Sequence, residues 1–511
     1  MCQRCTQAHR TCTYVIPDNR RKRVYAAPKD SADAESDHAR PQSRSRSSAQ
    51  GSAEPAAAGP EPPPAAQDEN RVLAFYRHQY LSSISTKTPR WSFFSGIIHL
   101  GQANSALMGA LMADARYSQA TPPERREEDR ANALPHYQGG LRDFASLASS
   151  RQFDPLTLLS TLFLLVQFEL RHADQARDVR SHFEGFTTAV LAHGHQLIPA
   201  LQPFAEARPA GSAAPPNVAL RYENVLNRLG LWMTYMDALA STWDLGGSVM
   251  DTFWTRYPGS LELMFSRSRD ALKEIWGSDY PPEEALDDLQ NRAAFDLFHE
   301  SHLLRYRASL FRWSLGDSDK AARLHTDIQA KIDALKQVRR RPTPCCYAPP
   351  WPVAHPMPQQ HPVLMSIASK WPHLNADTTR IVLNLRFIVP LFHAVQVDFY
   401  RTASRPGQQP PALAQSVSEI LQIAAIVHEN EPPNSMCRIA WPLFVAGAET
   451  TDFVHSTWVL ARFRELADVG VNFRRAHALL KAVVQHQRQT GEKVDYRQWL
   501  ADRPEFETFI I

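Results

Sequence analysis

The sequence predicts an all-α protein, and three observations carry that reading. From Val72 onward apolar residues recur three and four positions apart, the period of a helix packed on one face. Helix-start signals stand in front of several of these runs. No Asn-Gly or Asp-Gly turn sits between alternating apolar runs, so the strongest short-range hairpin signal is missing.

The elements follow in order. Thr121-Pro122-Pro123-Glu124 reads as a capping box, with Thr as N-cap, Pro at the first helical position and Glu three residues on. Asp154-Pro155 repeats the arrangement before a helix through Leu156, Leu159, Phe163, Val166 and Leu170. Residues 223–240 place Leu226, Leu229, Met233, Met236 and Leu239 at helical spacing. Pro281-Pro282-Glu283-Glu284 opens another helix, with acids in the first turn where the helix dipole favours them. Gly316-Asp317-Ser318 reads as a turn after Leu315. The stretch Ile381 to Tyr400 is rich in β-branched and aromatic residues but is long and lacks strict alternation. It is expected to be a buried helix kinked near Pro390. The segment of about residues 339–372 is dense in proline, including Pro342, Pro349, Pro352, Pro358 and Pro362, and is expected to be a helix-free surface insertion. Arg339-Arg340-Arg341 at its start reads as a solvated helix C-terminus, and Cys345-Cys346 as chance neighbours.

Composition sets further bounds. Hydrophobic residues make up 43% of 511, enough for at least one large core. The net charge of +3 is unevenly spread: residues 1–29 hold seven Lys/Arg against Asp18, while residues 30–69 hold three Arg against eight acids. Residues 25–69 are Ala, Pro, Ser, Arg and acid, and such a stretch buries too little apolar surface to offset its ordering entropy. It is expected to be a disordered linker. The N-terminus is polar, unlike a signal peptide, and sparse cysteines suit a reducing compartment. The apolar stretch around Leu156 to Phe168 is interrupted by Thr157, Ser160, Thr161 and Gln167, short of the ~20 residues of a membrane span. A soluble, intracellular protein without membrane contact is expected.

Three of six cysteines, Cys2, Cys5 and Cys12, fall within eleven positions at C-x2-C-x6-C spacing, and Arg20, Arg21, Lys22 and Arg23 follow. Thiolates so spaced suit zinc, and the basic run suits a nucleic-acid backbone. Tetrahedral zinc takes four ligands, and the next cysteine is Cys345.

The string Cys2-Gln-Arg-Cys5 through Cys12-Thr13-Tyr14, with its basic tail, resembles the second half of the fungal binuclear zinc cluster, a six-cysteine DNA-binding module. The resemblance implies that Cys2, Cys5 and Cys12 ligate zinc and that Arg20–Arg23 meet DNA phosphates. In that family the first half carries the base-reading helix, and that half is missing from this sequence. The chain is therefore expected to start downstream of its reader, and to bind DNA weakly and without sequence preference.

The body carries a second resemblance. Trp441-Pro442-Leu443-Phe444-Val445-Ala446-Gly447 looks like the signature of the second fungal-specific transcription factor domain. Trp458 and Arg462, Gly470-Val471-Asn472, Ala133 to Tyr137 and His182 to Gly185 stand where that family leads one to expect landmarks. It implies three parts: a partial zinc-cluster segment at 1–24, the linker at 25–69, and an all-helical regulatory domain at 70–511. It further implies a nuclear transcription regulator, possible homodimers or heterodimers with related regulators, and no enzyme activity. The competing readings are a reader-less regulator acting through protein–protein contact and an α-helical enzyme with a ligand pocket.

Catalytic patterns are sparse. His299-Glu300-Ser301-His302 is one residue short of H-E-x-x-H and is expected to be a partly exposed helix face. Gly316-Asp317-Ser318 lacks the Gly-x-Ser-x-Gly elbow, and neither G-x-G-x-x-G nor a Walker loop occurs. Cys437 is expected to be a small buried apolar residue.

Overall fold

The protein is described from a computed structural model covering residues 64–81, 85–119, 126–150, 153–172, 178–204, 222–337, 361–370, 379–404 and 408–511. Among these residues there is no strand, and the chain is α-helical with short 3-10 connections, as the sequence predicts. Cys2, Cys5, Cys12, Arg20–Arg23, the Thr121 capping box, Arg339–Arg341 and Cys345-Cys346 lie outside the described residues.

The first helix, α1 (Pro64–Phe75), begins six residues inside the expected linker and runs on as a turn of π-helix at Tyr76–Tyr80. Next come α2 (Phe93–Gly101), α3 (Ser105–Gln119) and α4 (Arg126–Ser149). α3 and α4 approach at Gly109 and Gly140, where a Cβ on either would lie 2.8 Å from a backbone nitrogen of the other helix. Only glycine permits that approach.

α5 (Pro155–His172) starts as expected, with the Thr157 amide donating to Asp154 Oδ2 at 3.0 Å. It is buried nearly all round from Leu158 to Val166, because α3, α4 and α6 (Asp178–Leu197) pack on it from different sides. Ser160 and Thr161 are buried with it.

α7 (Glu223–Ser241) buries Leu226, Leu229, Met233 and Met236 at the expected spacing. The chain then makes three short helices, α8 (Ser248–Arg256), α9 (Ser260–Ser268) and α10 (Ala271–Trp276). The turn between α7 and α8 is held by buried Asp237, whose carboxylate accepts from the Gly247 amide at 2.7 Å and the Met250 amide at 2.8 Å. α11 (Pro282–Gln290) opens at Pro281-Pro282 with Glu283 and Glu284 in its first turn. α12 (Arg292–Trp313) and α13 (Ser318–Lys336) follow, and the turn at Gly316 ends in an Asp317 N-cap whose side chain accepts from the Lys320 amide at 3.1 Å.

One expectation needs correction here. The proline-dense segment is not helix-free, since α14 (His361–Lys370) lies within it. Proline is tolerated in a first helical turn, where its missing N–H has no intrahelical partner, so Pro362 opens this helix instead of breaking it. The stretch around Leu156 falls short of a membrane span, as expected, and among the described residues one helix, α15 (Thr379–Ala403), is long and apolar enough for one. Its window has mean hydropathy 1.4, and 83% of it is buried inside the body, where it serves as core. Pro390 sits inside this one continuous helix.

α12, α16 (Pro411–Asn430) and α17 (Ala440–Glu449) surround α15. α18 (Phe453–Leu466), α19 (Val471–Thr490) and α20 (Tyr496–Ala501) complete the chain. The Trp-Pro-Leu-Phe signature is the first turn of α17, and Gly447 is dictated by packing. A Cβ there would stand 2.7 Å from Val459 Cγ1 on α18.

Candidate functional site: a cation-lined cavity in the helical body

Three helices turn one stripe each toward a shared hollow. From α7 come Arg228, Trp232, Tyr235, Met236 and Leu239, which share a face at four-, seven-, eight- and eleven-residue steps. From α12 come Phe295, Phe298, His302 and Arg305. From α15 come Arg380, Asn384, Phe387 and Leu391, and Trp441 with Pro442 closes the wall from α17. The cavity holds about 430 Å³, within the range of about 300–1,000 Å³ usual for small-molecule sites. A second compartment of about 320 Å³ shares Arg228, Trp232, Tyr235, Phe298 and Arg380 with it.

The charge on the wall is one-sided. Lys87, Arg171, Arg228, Arg305, Arg380 and Arg438 line the larger cavity, with no Asp or Glu side chain among the lining residues. The smaller compartment is mixed, with Asp270 and Asp288 beside Arg269, Lys273 and Arg292.

Some of the cavity's cations are neutralised from behind. Lys87 Nζ lies 2.7 Å from Glu284 and 2.8 Å from Asp288. Arg380 pairs with Asp287 and, at 3.0 Å, with Asp288. Arg171 lies 2.9 Å from buried Asp114. Burial pulls the Arg171 pKa down, but Asp114, Tyr80 and Tyr76 more than offset it and leave the pKa raised.

Arg305 and Arg228 differ. Among the described residues no carboxylate lies within ion-pair distance of either. Arg305 is 3% exposed, donates Nε–H to Thr242 Oγ1 at 2.8 Å, and lies 3.6 Å from the centroid of the Trp441 ring. Its Nη2 is buried with no hydrogen-bond partner. Burial pulls its pKa down to about 9, which still leaves it cationic at neutral pH. Arg228 lies over the rings of Phe93 at 4.8 Å and Trp232 at 5.4 Å, and burial lowers its pKa too.

The two histidines of the H-E-S-H stretch are buried, not partly exposed. Neighbouring helices cover both, because α9 and α7 pack on that face of α12. His299 stacks on Phe265 with ring centroids 4.2 Å apart, and its Nδ1 is 2.8 Å from the Tyr235 hydroxyl. His302 stacks on Tyr235 at 4.6 Å, lines the cavity, and its Nδ1 has no partner. Burial holds both neutral, His299 at about 3 and His302 well below its ordinary value. Among the described residues no group of three or more His, Cys, Asp or Glu could hold a metal ion. Cys437 is half-buried on the cavity wall rather than fully buried, and burial pushes its thiol up to about 12.

Sequence reasoning missed this site, apart from Trp441, which it placed at a helix start. The signal was a basic residue interrupting an apolar helical stripe, as Arg228 does between Leu226 and Leu229. Spacing cannot reveal whether an acid from another helix answers that charge.

Residues 71–507 match the family described as fungal specific transcription factor domain, and the chain belongs to that family. No curated protein and no solved structure gives a significant match.

Proposed function

We propose that this protein is a nuclear transcription regulator of the fungal type, whose helical body modulates transcription and whose N-terminal segment contributes to zinc-dependent DNA binding. The observation that carries this reading is the family match across residues 71–507. Cys2, Cys5 and Cys12 at C-x2-C-x6-C spacing and the Arg20–Arg23 run support the finer part. Zinc is the expected cofactor and DNA the expected partner, through phosphate contacts whose strength falls steeply with salt.

The test fuses the full chain to an unrelated DNA-binding domain and measures a reporter carrying that domain's site. Transcription should rise or fall well outside the range given by the DNA-binding domain alone. An unchanged reporter at normal protein levels would overturn the regulator reading. For the N-terminal segment, zinc content and fluorescence anisotropy on a random duplex are the measurements. Weak binding that drops sharply between 50 and 200 mM salt is expected. Tight, sequence-specific binding by this chain would contradict the expectation of weak binding without sequence preference.

A further inference from the structure

We propose that the larger cavity is a binding site for a small aryl carboxylate, whose carboxylate pairs with Arg305 and whose flat apolar body lies against Tyr235, Phe298 and Phe387. The proposal deepens the regulator reading, because it names the effector class, and it rests on that reading only for the word effector.

Removing a guanidinium from water is costly unless a carboxylate and hydrogen bonds replace the lost hydration. Elsewhere in this body buried arginines have that replacement: Arg386 has Glu431 at 3.2 Å, and Arg497 has Asp398 at 2.5 Å. Arg305 lines the cavity with one hydroxyl and one indole face as partners, and its Nη2 is buried without a hydrogen-bond partner. A cation–π contact contributes about 2 kcal/mol when desolvated, which does not make good a missing counter-ion. The missing partner is an anion that can bond to the guanidinium edge, and carboxylate geometry suits it.

The rest of the cavity selects the body attached to that anion. Its walls are aromatic and aliphatic, with Trp232, Tyr235, Phe298, Phe387 and Leu391 facing the hollow. Such walls favour a flat apolar skeleton over a sugar or a free inorganic ion. Among the described residues six cationic side chains and no Asp or Glu side chain line the cavity, which favours an organic anion over an organic cation there. Arg228 stands fourteen residues before Thr242, Arg305's partner, on α7, about 21 Å along the axis at the helical rise. The two arginines therefore mark opposite ends, and one carboxylate engages one of them. Arg305 is the more deeply buried and carries the partnerless nitrogen.

The test is calorimetric titration of the full chain with benzoate, 2-naphthoate and anthracene-9-carboxylate, each beside its neutral methanol analogue of the same shape. At least one acid should bind saturably at one site, at least tenfold tighter than its alcohol. Arg305→Met should weaken that acid at least tenfold while leaving the alcohol's affinity within twofold. Equal affinity for acid and alcohol, or no saturable binding by any of the three acids, overturns the proposal. The acid–alcohol comparison needs only the wild-type protein, so it stands even if the variant folds poorly. Adding the acid to the fused reporter separates the two readings. A reporter silent with and without acid overturns the regulator reading, and the calorimetry decides the site independently.

Discussion

Where α15, α17 and α20 meet, buried arginines come with acids. Arg497 lies 2.5 Å from Asp398, which also accepts from the Tyr496 hydroxyl at 3.3 Å, and Arg401 pairs with Glu449. At the cavity, Arg305 on α12 and Arg228 on α7 lie against aromatic rings instead. The titration of the two sets differs accordingly. Burial pulls on both, yet Asp398, Tyr496 and Asp495 leave Arg497 raised, while Asp398 and Tyr496 act on Arg305 only from beyond ion-pair distance and it falls to about 9. One set of charges completes the fold and the other awaits a counter-ion. That difference separates a structural arginine from a binding one.

The comparison can be broken at its compensated end first. Asp398→Ala strands Arg497 as a buried charge and is expected to cost about 3–5 kcal/mol, read as a lower denaturation midpoint. A change within about 1 kcal/mol would mean the pair contributes little, and the contrast with Arg305 would lose its basis.

The next effect is acid sensitivity. His299 and His302 are held neutral, with folded pKa values far below the ordinary 6.5, so their contribution is present above pH 6.5 and lost as pH falls toward about 3. Asp237 acts oppositely: burial raises it to about 7, so the folded state takes up its proton first and gains stability as pH falls from 7 toward 4. Each group contributes up to about 1.4 kcal/mol per pH unit, and with His136, His172, His393 and His477 also lowered against Glu274, Asp296 and Glu431 raised, the histidines outweigh the acids. Midpoints between pH 6.5 and 5 should fall for the wild type, and fall less steeply in His302→Gln. Equal slopes would show that His302 titrates normally.

Gly447→Val comes third. Its side chain would collide with Val459 on α18, an overpacking loss of about 1–3 kcal/mol. Unchanged thermal stability would mean that α17 and α18 can separate freely.

Much of the fold was legible in the sequence because the signals are local. Asp154-Pro155 and Pro281-Pro282-Glu283-Glu284 are start signals that act within one turn, and both helices begin there. The long apolar helix through Pro390 was legible from length and composition, whereas its span-like hydropathy escaped notice. α14 was missed because proline density was read as a barrier, when Pro362 occupies a first turn. The site was legible only at Trp441. What makes Arg305 unusual is that no carboxylate of the described residues pairs with it, and Lys87, Arg171 and Arg380 look no different along the chain. Their acids, Asp114, Asp287 and Asp288, come from distant segments that only packing brings together.

The most direct test of this account is the denaturation midpoint of Arg305→Met against wild type at pH 7, with no organic anion present. Replacing an unpaired buried charge by an apolar side chain of similar length should leave the protein as stable or raise its stability by about 1–4 kcal/mol. A loss approaching that of Asp398→Ala would make Arg305 a structural residue like Arg497 and contradict the account.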